Sequence, residues 1–168
     1  MASRGWCLAL GLALSLVLPV VSGCRQPVAH EVELRLLAPG IRSQDLATLR
    51  DPRLGAVLVA DDEIIGYVPA SHCLRVTAAA RQRVMGQQVP VAGTPFALCV
   101  DGGPVLVGAL WTPISSLSFD GVVIMVLNGE QGQLCLQGGY PGSFVTQGED
   151  PRDSAKLLQA FRQAGRLP

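Results

Sequence analysis

Phe96-Ala97-Leu98-Cys99-Val100-Asp101-Gly102-Gly103-Pro104-Val105-Leu106-Val107-Gly108-Ala109-Leu110 holds two apolar runs separated by Asp-Gly-Gly. Asp-Gly tolerates the positive φ angles of a tight turn, so the stretch predicts a β-hairpin. A second hairpin is expected downstream, where the β-branched run Gly121 to Leu127 and the alternating run Gln133 to Gln137 flank the polar, glycine-rich Asn128 to Gly132. Upstream, Val32, Leu34 and Leu36 alternate with Glu31, Glu33 and Arg35, the period of a strand buried on one face. Gly55 to Ala60 suits either a strand or the end of a helix, and Cys73 to Val76 reads as another strand.

Helices are marked by their ends. Thr77 is placed to cap a helix from Ala78 to Met85, with Gly86 just beyond it. Ser43 is placed to start a short helix through Leu46 and Leu49 that stops before Asp51-Pro52. A terminal helix is expected with Asp150 as cap, Pro151 in its first turn and Gly165 at its end, and with Leu157, Leu158, Phe161 and Ala164 toward the sheet. The order β-α-(β)-β-α-β-β-β-β-α predicts an α+β fold. It would be a two-layer sandwich with a mainly antiparallel sheet and two or three helices on one face.

A short N-terminal stretch carrying Arg4 precedes an apolar run from Trp6 to Val21, the layout of a secretory signal and too short for a permanent span. It closes in Val21-Ser22-Gly23-Cys24, which resembles the lipobox of bacterial lipoproteins. That resemblance implies a signal peptide over residues 1–23, diacylglycerol on the Cys24 sulfur, a tether over 24–30 and one domain over 31–168. The partner it implies is the membrane, reached through the lipid on Cys24, and the location is the bacterial cell envelope. Arg25 stands where an aspartate would mark inner-membrane retention, so in a Gram-negative cell it implies the outer membrane, facing the periplasm. Two or more acyl chains, at about 0.8 kcal/mol per buried CH₂, anchor stably.

Two central stretches also bear a likeness. Leu74-x-Val-Thr-Ala-x-Ala and Gly93-x-Pro-Phe-Ala-Leu-x-Val-Asp-Gly-Gly-Pro resemble the periplasmic head domain of the SecD export protein, as does the closing Gly-Arg-Leu-Pro. The likeness implies an α+β head domain. Uncharacterised bacterial lipoproteins read similarly, and neither implies an activity.

Without residues 1–23 the chain has 12 basic and 13 acidic residues, a formal net charge of −1, and nothing calls for nucleic acid. Cys73, Cys99 and Cys135 remain beside Cys24, so at most one disulfide forms among them; bridge and buried thiol are both open, and none has the spacing of a metal site. Asp61-Asp62-Glu63 reads as a solvated turn rather than a metal or acid–base group. No nucleophile elbow, zinc-protease helix, phosphate loop or dinucleotide fingerprint is present, so no cofactor is expected and an enzyme is the lesser reading. A hydrolase would depend on His72 with Ser115, Ser116 or Ser118 and Asp120, although a histidine beside a strand is more often scaffold. The best recognition candidate is the loop carrying Trp111, Thr112, Ser115, Ser116 and Phe119, where hydroxyls interleave with large apolar groups. The plainer reading, in which Trp111 and Phe119 close the core and the serines cap turns, takes precedence. Tyr140 to Phe144 is a second loop candidate, with turn geometry the plainer role for its glycines. The function expected is a non-enzymatic binding or envelope-assembly domain, with another envelope protein as the possible partner.

Overall fold

The computed structural model describes residues 30–126, 132–142 and 150–168. The apolar leader, Cys24, most of the tether, residues 127–131 and the Ser143–Phe144 end of the second loop candidate lie outside the described residues.

Eight strands form one sheet: β1 (Val32–Leu37), β2 (Leu54–Val59), β3 (Ile64–Val68), β4 (Cys73–Val76), β5 (Thr94–Val100), β6 (Gly103–Trp111), β7 (Val122–Met125) and β8 (Gln133–Gln137). Their order across the sheet is β2-β1-β5-β6-β7-β8-β4-β3, and every neighbouring pair is antiparallel except β6 and β7, which run parallel. With two α-helices, α1 (Ala78–Met85) and α2 (Ala155–Gln163), this is the expected α+β class.

Several local signals act as read. Asp101 and Gly102 both take positive φ, 53° and 72°, and turn β5 into β6, with Val100 opposite Gly103. Thr77 caps α1 by accepting from the Ala80 amide at 3.2 Å. Gly55 to Ala60 resolves into a strand, β2. Three details differ. The Ser43 segment is a 3₁₀ helix, Ser43–Thr48, and packs on the face of the sheet opposite α1 and α2. Asp150 caps a separate 3₁₀ turn, Pro151–Asp153, and α2 starts only at Ala155. The predicted order also lacks β3, which forms a hairpin with β4.

Both faces of the central strands are buried. On β5, Phe96, Leu98 and Val100 enter one apolar cluster while Ala97 and Cys99 enter the other, so Phe96 to Val100 is continuously apolar. The larger cluster takes side chains from all eight strands and both helices, including Val84 of α1 and Leu157 and Phe161 of α2. The smaller one lies beneath the Ser43–Thr48 turn and the Thr112–Phe119 loop.

The link from β2 to β3 dictates the shape. These strands are the two edges of the sheet, about 34 Å apart if eight strands lay flat at about 4.8 Å spacing. The chain from Val59 to Ile64 can span at most about 18 Å. The sheet must therefore curl until its edges meet at Ala60–Glu63. Here the acidic turn is no merely solvated feature, since of its three residues only Asp62 is exposed. Arg166 grips Asp61 with two nitrogens at 2.7 and 2.8 Å, and the Val32 amide of β1 donates to the same carboxylate at 2.9 Å. Arg83 of α1 grips Glu63 at 2.7 and 2.8 Å and donates to the Leu58 carbonyl of β2 at 2.8 Å. The corner thus ties β1, β2, α1 and the C-terminal tail together.

These pairs carry a pH signature. Arg166 holds the Asp61 carboxyl below its usual range, Arg83 brings Glu63 down to about 2, and Arg152 brings Asp150 down to about 2. A carboxyl depressed in the fold contributes stability that is complete above its unfolded pKa near 4 and is lost as pH falls through the folded value. The urea midpoint is therefore expected to be flat above about pH 5 and to drop steeply toward pH 2. Combining Asp61→Asn and Glu63→Gln should lower the midpoint at pH 7 and flatten that acid limb; an unchanged limb would show that these pairs are not what acid breaks.

Candidate functional site

The Ser43–Thr48 turn bridges the second face of the sheet and leaves a hollow on each side. One cavity, of about 220 Å³, is lined by Ser43, Leu46, Val107, Phe119, Val122 and the Asp150–Arg152 pair. The other, of about 350 Å³, is lined by Ile41, Ser43, Gly93, Trp111, Leu117 and Phe119. Both share Ser43, Gln44 and Phe119, so they form one groove divided by the turn.

The sequence of β6 decides where Trp111 points. Val107, Ala109 and Trp111 are two residues apart and therefore share the second face. The Trp111 ring is only 2% exposed, stacks on Phe119 with centroids 5.4 Å apart, and meets Tyr140 at 6.1 Å. Gly93 also lies against the ring, where a Cβ would collide with it at Cε3 and Cζ3; φ at Gly93 is +76°. Trp111 and Phe119 thus belong to the core, which is the plainer of the two roles read for them. Thr112 and Ser115 are buried as well, whereas Ser116 is exposed. The exposed apolar groups are instead Ile114 and Leu117, 77% and 47% accessible, beside Val91 at 56%. Ser115 links loop and neighbour, its hydroxyl donating to the Val91 carbonyl at 2.6 Å while accepting from the Leu117 amide. Tyr140 closes the loop by donating to the Pro113 carbonyl at 2.8 Å.

Two residues that line this groove each carry a polar atom that is fully buried without a hydrogen-bond partner: Ser43 Oγ and Trp111 Nε1. The Thr112 hydroxyl nearby is in the same condition. A buried donor left unpaired costs about 1–3 kcal/mol.

A second cluster borders the smaller cavity. His72, in a turn at φ 51°, has Nδ1 3.2 Å from the Tyr67 hydroxyl and 3.7 Å from Asp153. The Tyr67 hydroxyl donates to the Arg152 carbonyl at 2.9 Å, so its oxygen accepts from Nδ1–H. Burial raises the Tyr67 pKa and keeps that proton in place. Ligand atoms of His72, Asp150 and Asp153 lie within 4.8 Å of one another, a grouping that sequence spacing did not show. Arg152 already covers both Asp150 oxygens at 2.5 to 3.0 Å and donates to the Leu136 carbonyl, so a cation could use Asp150 fully only by displacing it. His72 is held in place by its neighbours. Among the described residues its ring is paired with Tyr67 and Asp153 and with no serine hydroxyl, and Ser115 is committed to Val91.

The cysteine question resolves: Cys73 and Cys135, opposite each other on β4 and β8, form a disulfide, and Cys99 is a buried thiol whose pKa burial raises. Among the described residues no helix is long and apolar enough to cross a membrane. Comparison with protein-family models, curated proteins and solved structures finds no match, so the groove alone carries the functional argument.

Proposed function

We propose that this chain is a membrane-anchored extracytoplasmic lipoprotein of the bacterial envelope, held by lipid on Cys24, whose α+β head is a non-enzymatic binding domain. The observation that carries the binding role is the groove beneath the Ser43–Thr48 turn, two adjoining cavities lined largely by apolar side chains, with Leu117 exposed in the wall of one. The anchoring rests on the Val21-Ser22-Gly23-Cys24 pattern. The partner is another component of the same envelope.

Mass spectrometry of the native protein should show a chain that starts at Cys24 and carries a diacylglyceryl thioether. A photo-crosslinker at Gln44, exposed and lining both cavities, should form an adduct in intact envelopes, and one at Arg162, exposed on α2, should not. An unmodified Cys24 overturns the anchoring. Equal or absent adducts at the two positions overturn the binding role.

A further inference from the structure

Resting on the binding-domain reading, the smaller cavity sets the chemistry of its occupant. Its walls are mostly apolar: Leu46 and Ala47 of the turn, Val107 of β6, Phe119, and Val122 of β7. Its volume of about 220 Å³ exceeds a benzene-sized site of about 150 Å³ by about half. That is room for one large apolar side chain and too little for the paired acyl chains of a lipid.

Three charged residues line this cavity, Asp120, Asp150 and Arg152, and two of them cancel. The Arg152 guanidinium meets both Asp150 oxygens at 2.5 to 3.0 Å and donates to the Leu136 carbonyl at 3.0 Å, while the Arg152 amide donates to the same carboxylate. Asp120 is different. It is exposed and, among the described residues, has neither a hydrogen-bond nor an ion-pair partner. Its backbone is nevertheless fixed, because Phe119 exchanges hydrogen bonds of 2.9 and 2.8 Å with Tyr140 on one side and β7 begins at Val122 on the other. The apolar hollow therefore keeps one uncompensated carboxylate in its lining. A positive group is favoured beside it, and at a solvated rim that preference acts more on which partner binds than on how tightly.

The groove does not end at this cavity. It continues past the turn into the cavity beside Trp111, with Ser43, Gln44 and Phe119 common to both. An occupant anchored in one hollow by a side chain can run on toward the other, as a polypeptide does and a compact solute does not.

We propose that the smaller cavity receives one large apolar side chain of a partner protein, and that a lysine or arginine next to it in the partner's sequence lies against Asp120.

The test separates chemistry from source. The full chain, anchor retained, is titrated in detergent micelles with three probes of similar shape, phenethylamine, phenethyl alcohol and hydrocinnamate, and the amide resonances of Val107, Gly121 and Val122 are followed. Asp120→Asn should weaken phenethylamine binding about two- to fivefold at unchanged melting temperature and should not weaken the other two. Comparing variant with parent in the same micelles cancels partition of each probe into detergent. Ala47→Trp, at an exposed residue of the cavity wall, should fill the hollow and abolish binding of all three. In intact envelopes, the photo-crosslinker at Gln44 should capture a polypeptide stretch in which lysine or arginine adjoins a large apolar residue. No binding of any probe, phenethylamine indifferent to Asp120→Asn, or binding indifferent to Ala47→Trp overturns the proposal. A Gln44 adduct with glycan, lipid or an acidic stretch overturns it while the binding-domain reading stands. If no adduct forms at Gln44, both fall.

Discussion

Loss of the Cys73–Cys135 bridge, by reductant or by paired Cys73→Ser and Cys135→Ser changes, is expected to destabilise the fold by about 4 kcal/mol. The bridge closes a loop with a sequence separation of 62, and the loop-entropy relation gives that figure. The topology concentrates the effect. Among the described residues the β3–β4 hairpin is paired to the rest of the sheet through the β4–β8 ladder, where Cys73 faces Cys135, Leu74 faces Leu134 and Arg75 faces Gln133. Without the bridge, hydrogen exchange should accelerate in β3 and β4 before it does in β5 and β6. For a domain of this size the melting temperature should fall by roughly 10–20 °C. A shift of a degree or two would mean that the ladder holds the hairpin unaided.

Replacing Gly108 by Val is expected to cost about 3 kcal/mol or more, read as a lower urea midpoint. A Cβ there would run into the Val122 carbonyl oxygen and come within 2.8 and 3.0 Å of Cζ and Cε1 of the Phe96 ring. The carbonyl is backbone in the partner strand and cannot step aside unless β6 and β7 part. That parallel ladder, from Gly108↔Val122 to Trp111↔Met125, is the seam between the β2-β1-β5-β6 and β7-β8-β4-β3 halves of the sheet. Gly103→Ala is the contrast: its added Cβ would sit at ordinary contact, 3.5 Å from its nearest neighbours, and should change stability by no more than about 0.5 kcal/mol. Similar losses at the two positions would show that glycine content, not close strand approach, explains Gly108.

What the sequence disclosed was local. The β5–β6 hairpin and α1 are each signalled within a few residues, by Asp101-Gly102 and by Thr77. The curl of the sheet was hidden because it depends on strand order, which adjacent residues do not encode. So was the role of the acidic turn, whose partners Arg83 and Arg166 stand 20 residues from Glu63 and 105 from Asp61. Strand β3 escaped notice because Gly66 interrupts its apolar run; that glycine is required by the Arg166 carbonyl, 2.7 Å from where a Cβ would be. In the groove, the alternation of hydroxyl and apolar residues after Pro113 was visible, but its phase was not. Continuing the period of β6 through Val107 and Ala109 would have placed Trp111 indoors. Nothing local foretold that Ser43, from a different segment, would line the same cavity as the indole.

β1, the first strand, lies between β2 and β5, hydrogen-bonded along both sides. Any pull delivered through the N-terminal end therefore loads two ladders in shear at once instead of unzipping a lone edge. Such a pull would leave the strands beneath the groove in register.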